Sequence, residues 1–146
     1  MWYLSRPGRA AGNGRATQVF QVIVGTGVDI VEVERVAAAI ERFGPRFLKR
    51  IYTPAEIRYC DSKKNRAERY AARFAAKEAA FKALGTGWNQ GVAWRDVEVG
   101  HAPGGRPTLS FTGAAAQHAA RLGMKRASLS LSHTKEQAVA QVILED

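Results

Sequence analysis

Cysteine is almost missing from this chain: Cys60 stands alone among 146 residues. A lone thiol excludes an internal disulfide framework and a cysteine-built zinc cluster, and it is compatible with a reducing compartment. Long apolar runs are missing as well. No stretch reaches the ~18 to 20 uninterrupted apolar residues that a membrane-spanning helix needs. Residues 1–18 carry Arg6, Arg9 and Arg15 but lack the apolar core of a secretory signal. A cytoplasmic protein with no membrane partner is the default expectation. Acidic residues are scarce, 13 Asp and Glu against 22 Lys and Arg, which leaves a formal charge of +9. Such a field draws acidic partners, whether nucleic acid, an anionic surface or an acidic protein.

Hydrophobic residues make up 46% and charged residues 24% of the chain, an ordinary balance for one globular domain with a real core. Residues 1–18 have Gly, Pro and Arg without apolar periodicity and read as a disordered leader, leaving residues 19–146 as a single domain. No internal repeat or low-complexity tract is visible.

Gln18 to Glu32 is a β-branched run interrupted by Gly25 and Gly27. It reads as a strand that bends or is closely approached at the glycines, with Asp29 at or just beyond its end. Helical spacing of Val33, Val36, Ala37 and Ile40 predicts a helix to Arg42, stopped by Gly44 and Pro45. A short helix follows over Phe47 to Ile51, and Thr53-Pro54 with Glu56 has the form of a capping box that starts another. Glu68 to Leu84 is alanine-rich, without internal Gly or Pro, and Gly85 offers a left-handed cap. Advancing ~100° per residue puts Tyr70, Phe74, Lys77, Phe81 and Leu84 on one buried stripe. Glu78 and Lys82 edge that stripe, while Lys77 lies inside it and must snorkel or line a cavity. Downstream, Val97 and Val99 pair with Thr108 to Phe111 around a glycine turn, Gly113 to Leu122 forms a helix, and Ala127 to Ser132 and Ala138 to Leu144 form two more strands.

Two phosphate-handling motifs fail. Gly25-Thr26-Gly27 has Ile30 where a dinucleotide fingerprint needs glycine, and no Gly-Lys-Ser/Thr follows as a P-loop requires. No nucleophile elbow is present. What remains is a pair of carboxylates on separate elements, Asp29 and Glu78, the kind of set Mg²⁺ uses when it keeps sites for water and phosphate oxygens. Plainer readings coexist: Glu78 as an i,i+4 partner of Lys82, Asp29 as a cap or strand-end turn, His133 as a solvated strand-end residue, and Arg35, Arg42 and Arg46 as a solvated face.

The segments GTGVDIVEVERV at Gly25 to Val36, FAAKEAAFKALGTG at Phe74 to Gly87 and SLSHT at Ser130 to Thr134 together resemble the holo-[acyl-carrier-protein] synthase family of 4'-phosphopantetheinyl transferases, over roughly residues 20–146. The resemblance implies an α+β fold, a long central helix packed on a small antiparallel sheet, and a homotrimer with sites between subunits. It implies transfer of 4'-phosphopantetheine from coenzyme A to a serine of apo acyl carrier protein, releasing adenosine 3',5'-bisphosphate, in fatty acid biosynthesis. Asp29 and Glu78 are then the Mg²⁺ ligands and, with Lys82, the catalytic residues. Arg73, Lys82, Gly85, His133 and Thr134 contact the coenzyme, and Arg35 and Arg42 receive the acidic carrier. The rivals are a basic nucleic-acid-binding domain, which needs basic residues interleaved with exposed aromatics, and a Mg²⁺-dependent phosphohydrolase. On the family reading, nucleic acid is not a partner.

Overall fold

The structure, a computed structural model, describes residues 21–87 and 90–146. The leader expected over residues 1–18 and the first residues of the expected strand lie outside them. The elements run β1 (Ile23–Glu32), α1 (Val33–Phe43), α2 (Pro45–Ile51), α3 (Pro54–Asp61), α4 (Arg66–Leu84), a 3-10 turn (Trp94–Asp96), β2 (Val97–His101), β3 (Pro107–Phe111), α5 (Gly113–Arg121), β4 (Arg126–His133) and β5 (Gln137–Glu145). Three strands form an antiparallel sheet in the order β1-β5-β4, and β2 and β3 form a separate hairpin. This is the α+β arrangement expected, with α4 as its central helix.

Helix α4 is buried on nearly every side, Glu78 and Lys82 being among the few residues partly open. Its alanines explain how a helix can be so enclosed. A Cβ placed on Gly25 would lie 2.1 Å from the Ala83 carbonyl oxygen, and one on Gly27 would lie 1.9 Å from that of Ala79. Strand β1 therefore rests backbone to backbone on α4, a contact only glycine permits. Successive strand side chains alternate faces, so Gly25, Gly27 and Asp29 share the face turned to the helix. Their neighbours Val28 and Ile30 are 59% and 58% exposed on the opposite face. Asp29 sits inside β1, paired with Ala140 of β5, and not at the strand's end as the glycines suggested; the ladder simply continues to Glu32.

Two apolar clusters flank α4. One joins it to the sheet, the β2-β3 hairpin and α5 through Phe81, Val97, Val99, Val142 and Leu144; the other joins it to α1, α2 and α3 through Val36, Ile40, Tyr52 and Tyr70. The capping box is formed: Glu56 donates its backbone N–H to the Thr53 hydroxyl, and Thr53 donates its own to Glu56. Lys77 neither snorkels nor lines a cavity. It is fully buried and paired with Glu56 at 2.8 Å, both side chains without exposure. Its remaining N–H groups donate to the Trp94 carbonyl at 3.2 Å and to the Val97 carbonyl, while Glu56 also accepts the Val99 N–H at 2.9 Å.

Candidate active site

Asp29, Glu78 and Lys82 come together where β1 crosses α4. Lys82 Nζ donates to Asp29 Oδ1 at 2.9 Å and to the Val28 carbonyl at 3.0 Å. The lysine thus bridges the two elements and does not close the i,i+4 pair with Glu78. The Asp29 side chain is 11% exposed and that of Lys82 44%, so the site opens on the lysine side. Among the described residues no fixed donor reaches the second Asp29 oxygen, Oδ2, which is buried; only a protonated Glu78 carboxyl is placed to share its proton with Asp29. Burial and the adjoining Asp29 carboxylate push Glu78 up to about 7, with Lys82 and Arg35 pulling the other way. Two crowded carboxylates share one lysine, and Lys82 and Arg35 together do not offset the burial and mutual repulsion that hold Glu78 up.

That deficit matches a hard divalent cation. Among the described residues no three or more His, Cys, Asp or Glu side chains gather as a metal cage. A pair of carboxylates is the sparse donor set Mg²⁺ takes when solvent and phosphate oxygens complete its octahedron. Gly85 caps α4 in the left-handed conformation at φ 78°, and a Cβ there would meet nothing within 4 Å. The cap therefore lies open beside Lys82. A helix C-terminus repels anions, so any phosphate held at this end depends on the lysine and on a bound cation.

The other expected contacts lie elsewhere in the chain. Arg73 is buried on another side of α4, its guanidinium 4.1 Å from the centre of the Tyr59 ring. It lies 3.4 Å from His101 Nε2 and donates to the Arg69 carbonyl. Helix geometry already carried this result, since five positions turn the chain by roughly 140° from Glu78. Arg73 Nε is the other buried atom without a partner among the described residues. His133 ends β4 with Nδ1 3.4 Å from Glu68 in the first turn of α4. Thr134 folds the β4-β5 connection, its hydroxyl accepting the N–H groups of Glu136 and Gln137. Glu68 and Lys82 stand about 21 Å apart along the helix axis. Within one chain, then, Asp29, Glu78, Lys82 and Gly85 form one group, and Arg73, His133 and Thr134 do not join it. Arg35 and Arg42 are exposed on α1, and Arg35 is near enough to act on Glu78.

The three aromatics of α4 offer no stacking platform to a nucleic acid: Tyr70 and Phe81 are buried, and Phe74 stacks on Trp94 at 4.9 Å. Comparison with known proteins settles the family. Residues 25–142 match the model of the 4'-phosphopantetheinyl transferase superfamily. The chain belongs to that superfamily. Holo-[acyl-carrier-protein] synthase of Koribacter versatilis is 68% identical over 125 residues, covering 86% of this chain and all of that relative. The Solibacter usitatus enzyme of the same name is 56% identical with the same coverage. The crystal structure of the Neisseria meningitidis synthase superposes with a TM-score of 0.77 at 35% identity, covering 85% of this chain and 99% of that one. That of the Bacillus anthracis synthase, in complex with coenzyme A (3',5'-ADP), gives 0.72 at 38% identity, covering 86% and 99%.

For a transferase of this superfamily the raised Glu78 carboxyl has a thermodynamic signature. Native Glu78 keeps its proton to about pH 7, whereas the unfolded residue releases it near 4.5. The folded state therefore binds the extra proton between those values, and stability falls as the pH rises through the interval. Thermal midpoints in EDTA from about pH 4 to about pH 9 should agree for wild type and Glu78→Gln at the acid end and diverge above it, the glutamine variant being the more stable. Parallel curves would remove the carboxylate crowding from the site.

Proposed function

We propose that this protein transfers 4'-phosphopantetheine from coenzyme A to a serine of apo acyl carrier protein, giving the holo carrier and adenosine 3',5'-bisphosphate, in fatty acid biosynthesis. The observation that carries the reading is the junction of Asp29, Glu78 and Lys82 across β1 and α4, in a chain 68% identical to a holo-[acyl-carrier-protein] synthase.

In the reaction the serine Oγ forms a bond to the phosphorus that carries the pantetheine arm. The bond from that phosphorus to the oxygen of the adenosine-side phosphate breaks, and the oxygen leaves with its electron pair. Asp29 and Glu78 would hold Mg²⁺, which when bound withdraws electron density from the pyrophosphate and offsets charge on the departing phosphate. Lys82, half exposed at the mouth of the site, pairs with a phosphate oxygen and counters the negative end of α4. The serine proton passes to a water or hydroxide held by Glu78 or by the cation, and from it to the Glu78 carboxylate or to bulk solvent. Gly85 lets the coenzyme approach the helix cap without a side chain in the way. His133 and Thr134 reach the coenzyme's phosphates from a neighbouring copy, which aligns the pyrophosphate for attack, and Arg73 joins them only if its guanidinium leaves the Tyr59 ring on which it is buried.

That last assignment calls for a homotrimer with its sites between subunits. Two features support it: the separation of His133 from Lys82 along α4, and the outer face of the three-stranded sheet. There Val28, Ile30 and Val139 are exposed, and Ile30 stands opposite Val139 in the ladder. Contiguous apolar surface of this kind is what an assembly interface covers. Among the described residues no helix is long and apolar enough to cross a membrane, and we place the enzyme in the cytoplasm with its carrier.

Incubation with coenzyme A, Mg²⁺ and apo acyl carrier protein should add one phosphopantetheine arm to the carrier, seen as a mass gain in the intact-protein spectrum. The gain should vanish in EDTA and return with Mg²⁺. No gain with several competent carriers sinks the proposal, and turnover of coenzyme A without carrier points to the phosphohydrolase instead.

A further inference from the structure

Strands β3 and β4 pack near one another without sharing a ladder, because the hairpin and the three-stranded sheet are separate. Where α5 meets this seam an open cavity of about 270 Å³ remains. Each element lines it by its own period. Leu109 and Phe111 come from alternate positions of β3, Ala116 and Ala120 from one face of α5, and Lys125 and Ala127 from alternate positions at the entry into β4.

Alanine is what leaves the seam unfilled, since α5 turns only methyl groups toward it where longer side chains would close the gap. Leu109, Phe111 and Met124 form half-buried walls packed on the core. The frame is fixed by backbone hydrogen bonds: Met124 donates to the Ala119 carbonyl at 3.0 Å, Gly123 to that of Ala120 at 3.0 Å, and Lys125 to that of Glu145 at 2.7 Å. Lys125 is the one charged residue of the lining, and it is exposed. Glu145 turns its carboxylate to Arg126 at 3.0 Å, and among the described residues no carboxylate pairs with Lys125. The exposed Arg121 follows Ala120 directly on α5, so the mouth carries positive charge that no acidic side chain answers.

We infer that this cavity binds a medium-chain fatty carboxylate, its alkyl tail lying in the seam between β3, β4 and α5 and its head pairing with Lys125. Apolar walls with a single placed cation suit a ligand that is apolar along its length and anionic at one end. A neutral apolar molecule makes no use of the lysine, a nucleotide leaves the walls uncovered, and a basic chain is repelled by the mouth. Size sets the length of the tail. An apolar cavity of ~150 Å³ holds one benzene, so this one has room for roughly ten carbon atoms. The cavity shares no residue with the junction of Asp29, Glu78 and Lys82, and the inference stands apart from the carrier-transfer reading.

The test is calorimetric titration of the full-length protein with sodium decanoate below its micelle concentration, which should fill one site per chain. Octanoate, shorter by two methylenes, should bind about tenfold more weakly. Decanol, which keeps the tail and lacks the charge, should bind about fivefold more weakly than decanoate, and Lys125→Gln should lose the same factor for decanoate while binding decanol as wild type does. Ala120→Trp, at an exposed helical position of the mouth, should abolish decanoate binding and leave the thermal midpoint and the transfer activity at wild-type values. Should that variant fail to fold, Lys125→Gln and the comparison of the three ligands decide alone. Absence of decanoate binding overturns the inference, as does equal affinity for decanol and decanoate. Full binding in Ala120→Trp overturns it by placing the ligand elsewhere, and displacement of decanoate by coenzyme A overturns it by placing the ligand at the carboxylate junction. Vesicles of anionic phospholipid that bind where free decanoate does not overturn it in favour of a membrane surface.

Discussion

Lys77→Ala is expected to cost about 3–5 kcal/mol of folding stability, a large part of the 5–15 kcal/mol that holds a domain together. The expectation comes from what the substitution strands. Glu56 would keep the N–H donors of Thr53 and Val99 but lose its cationic partner among the described residues, in a place without solvent. The Trp94 and Val97 carbonyls would lose their donor as well. An ammonium has three N–H groups, and each is used here to tie α4 to a different segment: α3, the 3-10 turn and β2. Burial pushes the Lys77 ammonium down from its ordinary value, while Glu56 pulls it back up. The pair is therefore costly to bury and more costly to break. Urea unfolding of Lys77→Ala, Glu56→Gln and the double variant measures both terms: the single variants should each lose several kcal/mol, and the double variant should lose less than their sum. Loss under about 1 kcal/mol in Lys77→Ala would show that water reaches the pair.

Much of this architecture was legible from local pattern. The alanine-rich run with its glycine cap, the Thr53 capping box and the glycine turn between β2 and β3 each state their own structure within a few residues. What escaped was long-range. Glu56 was visible as a cap, but its second task depends on a lysine in another helix, and no local spacing reports that pairing. Lys77 was correctly placed on the buried stripe, yet the reading allowed it only an escape to solvent or a cavity. Gly25 and Gly27 signalled a close approach without naming Ala79 and Ala83 as what approaches. The candidate site divides along the same line. Asp29, Glu78 and Lys82 meet because two elements cross inside one chain. Arg73, His133 and Thr134 are carried to other places by helix phase and by the far end of β4. A motif match lists these residues together, whereas one chain's geometry separates them.

Glu78→Gln and Asp29→Asn should each reduce carrier modification by about 1,000-fold or more, equivalent to roughly 4 kcal/mol of transition-state stabilisation. The size of the loss follows from the sparse donor set. With two carboxylates facing the site among the described residues, neutralising either removes half of the anionic charge they offer a divalent cation. No third carboxylate lies close by among the described residues. The two variants should part company in stability. Glu78→Gln removes a carboxyl that burial and Asp29 push up to about 7, so the metal-free protein should gain stability progressively from about pH 4.5, and in full above about pH 7, while it loses activity. Asp29→Asn instead releases Lys82 from its partner at 2.9 Å, leaving the Val28 carbonyl as the lysine's contact, and should gain nothing. Mg²⁺ should raise the thermal midpoint of wild type in the presence of coenzyme A and leave both variants unmoved. Transfer within tenfold of wild type in either variant would take that residue out of the metal site. A midpoint that falls in Glu78→Gln would show the carboxylate to be a structural group, and the crowding at the crossing of β1 and α4 would then need a partner other than a cation.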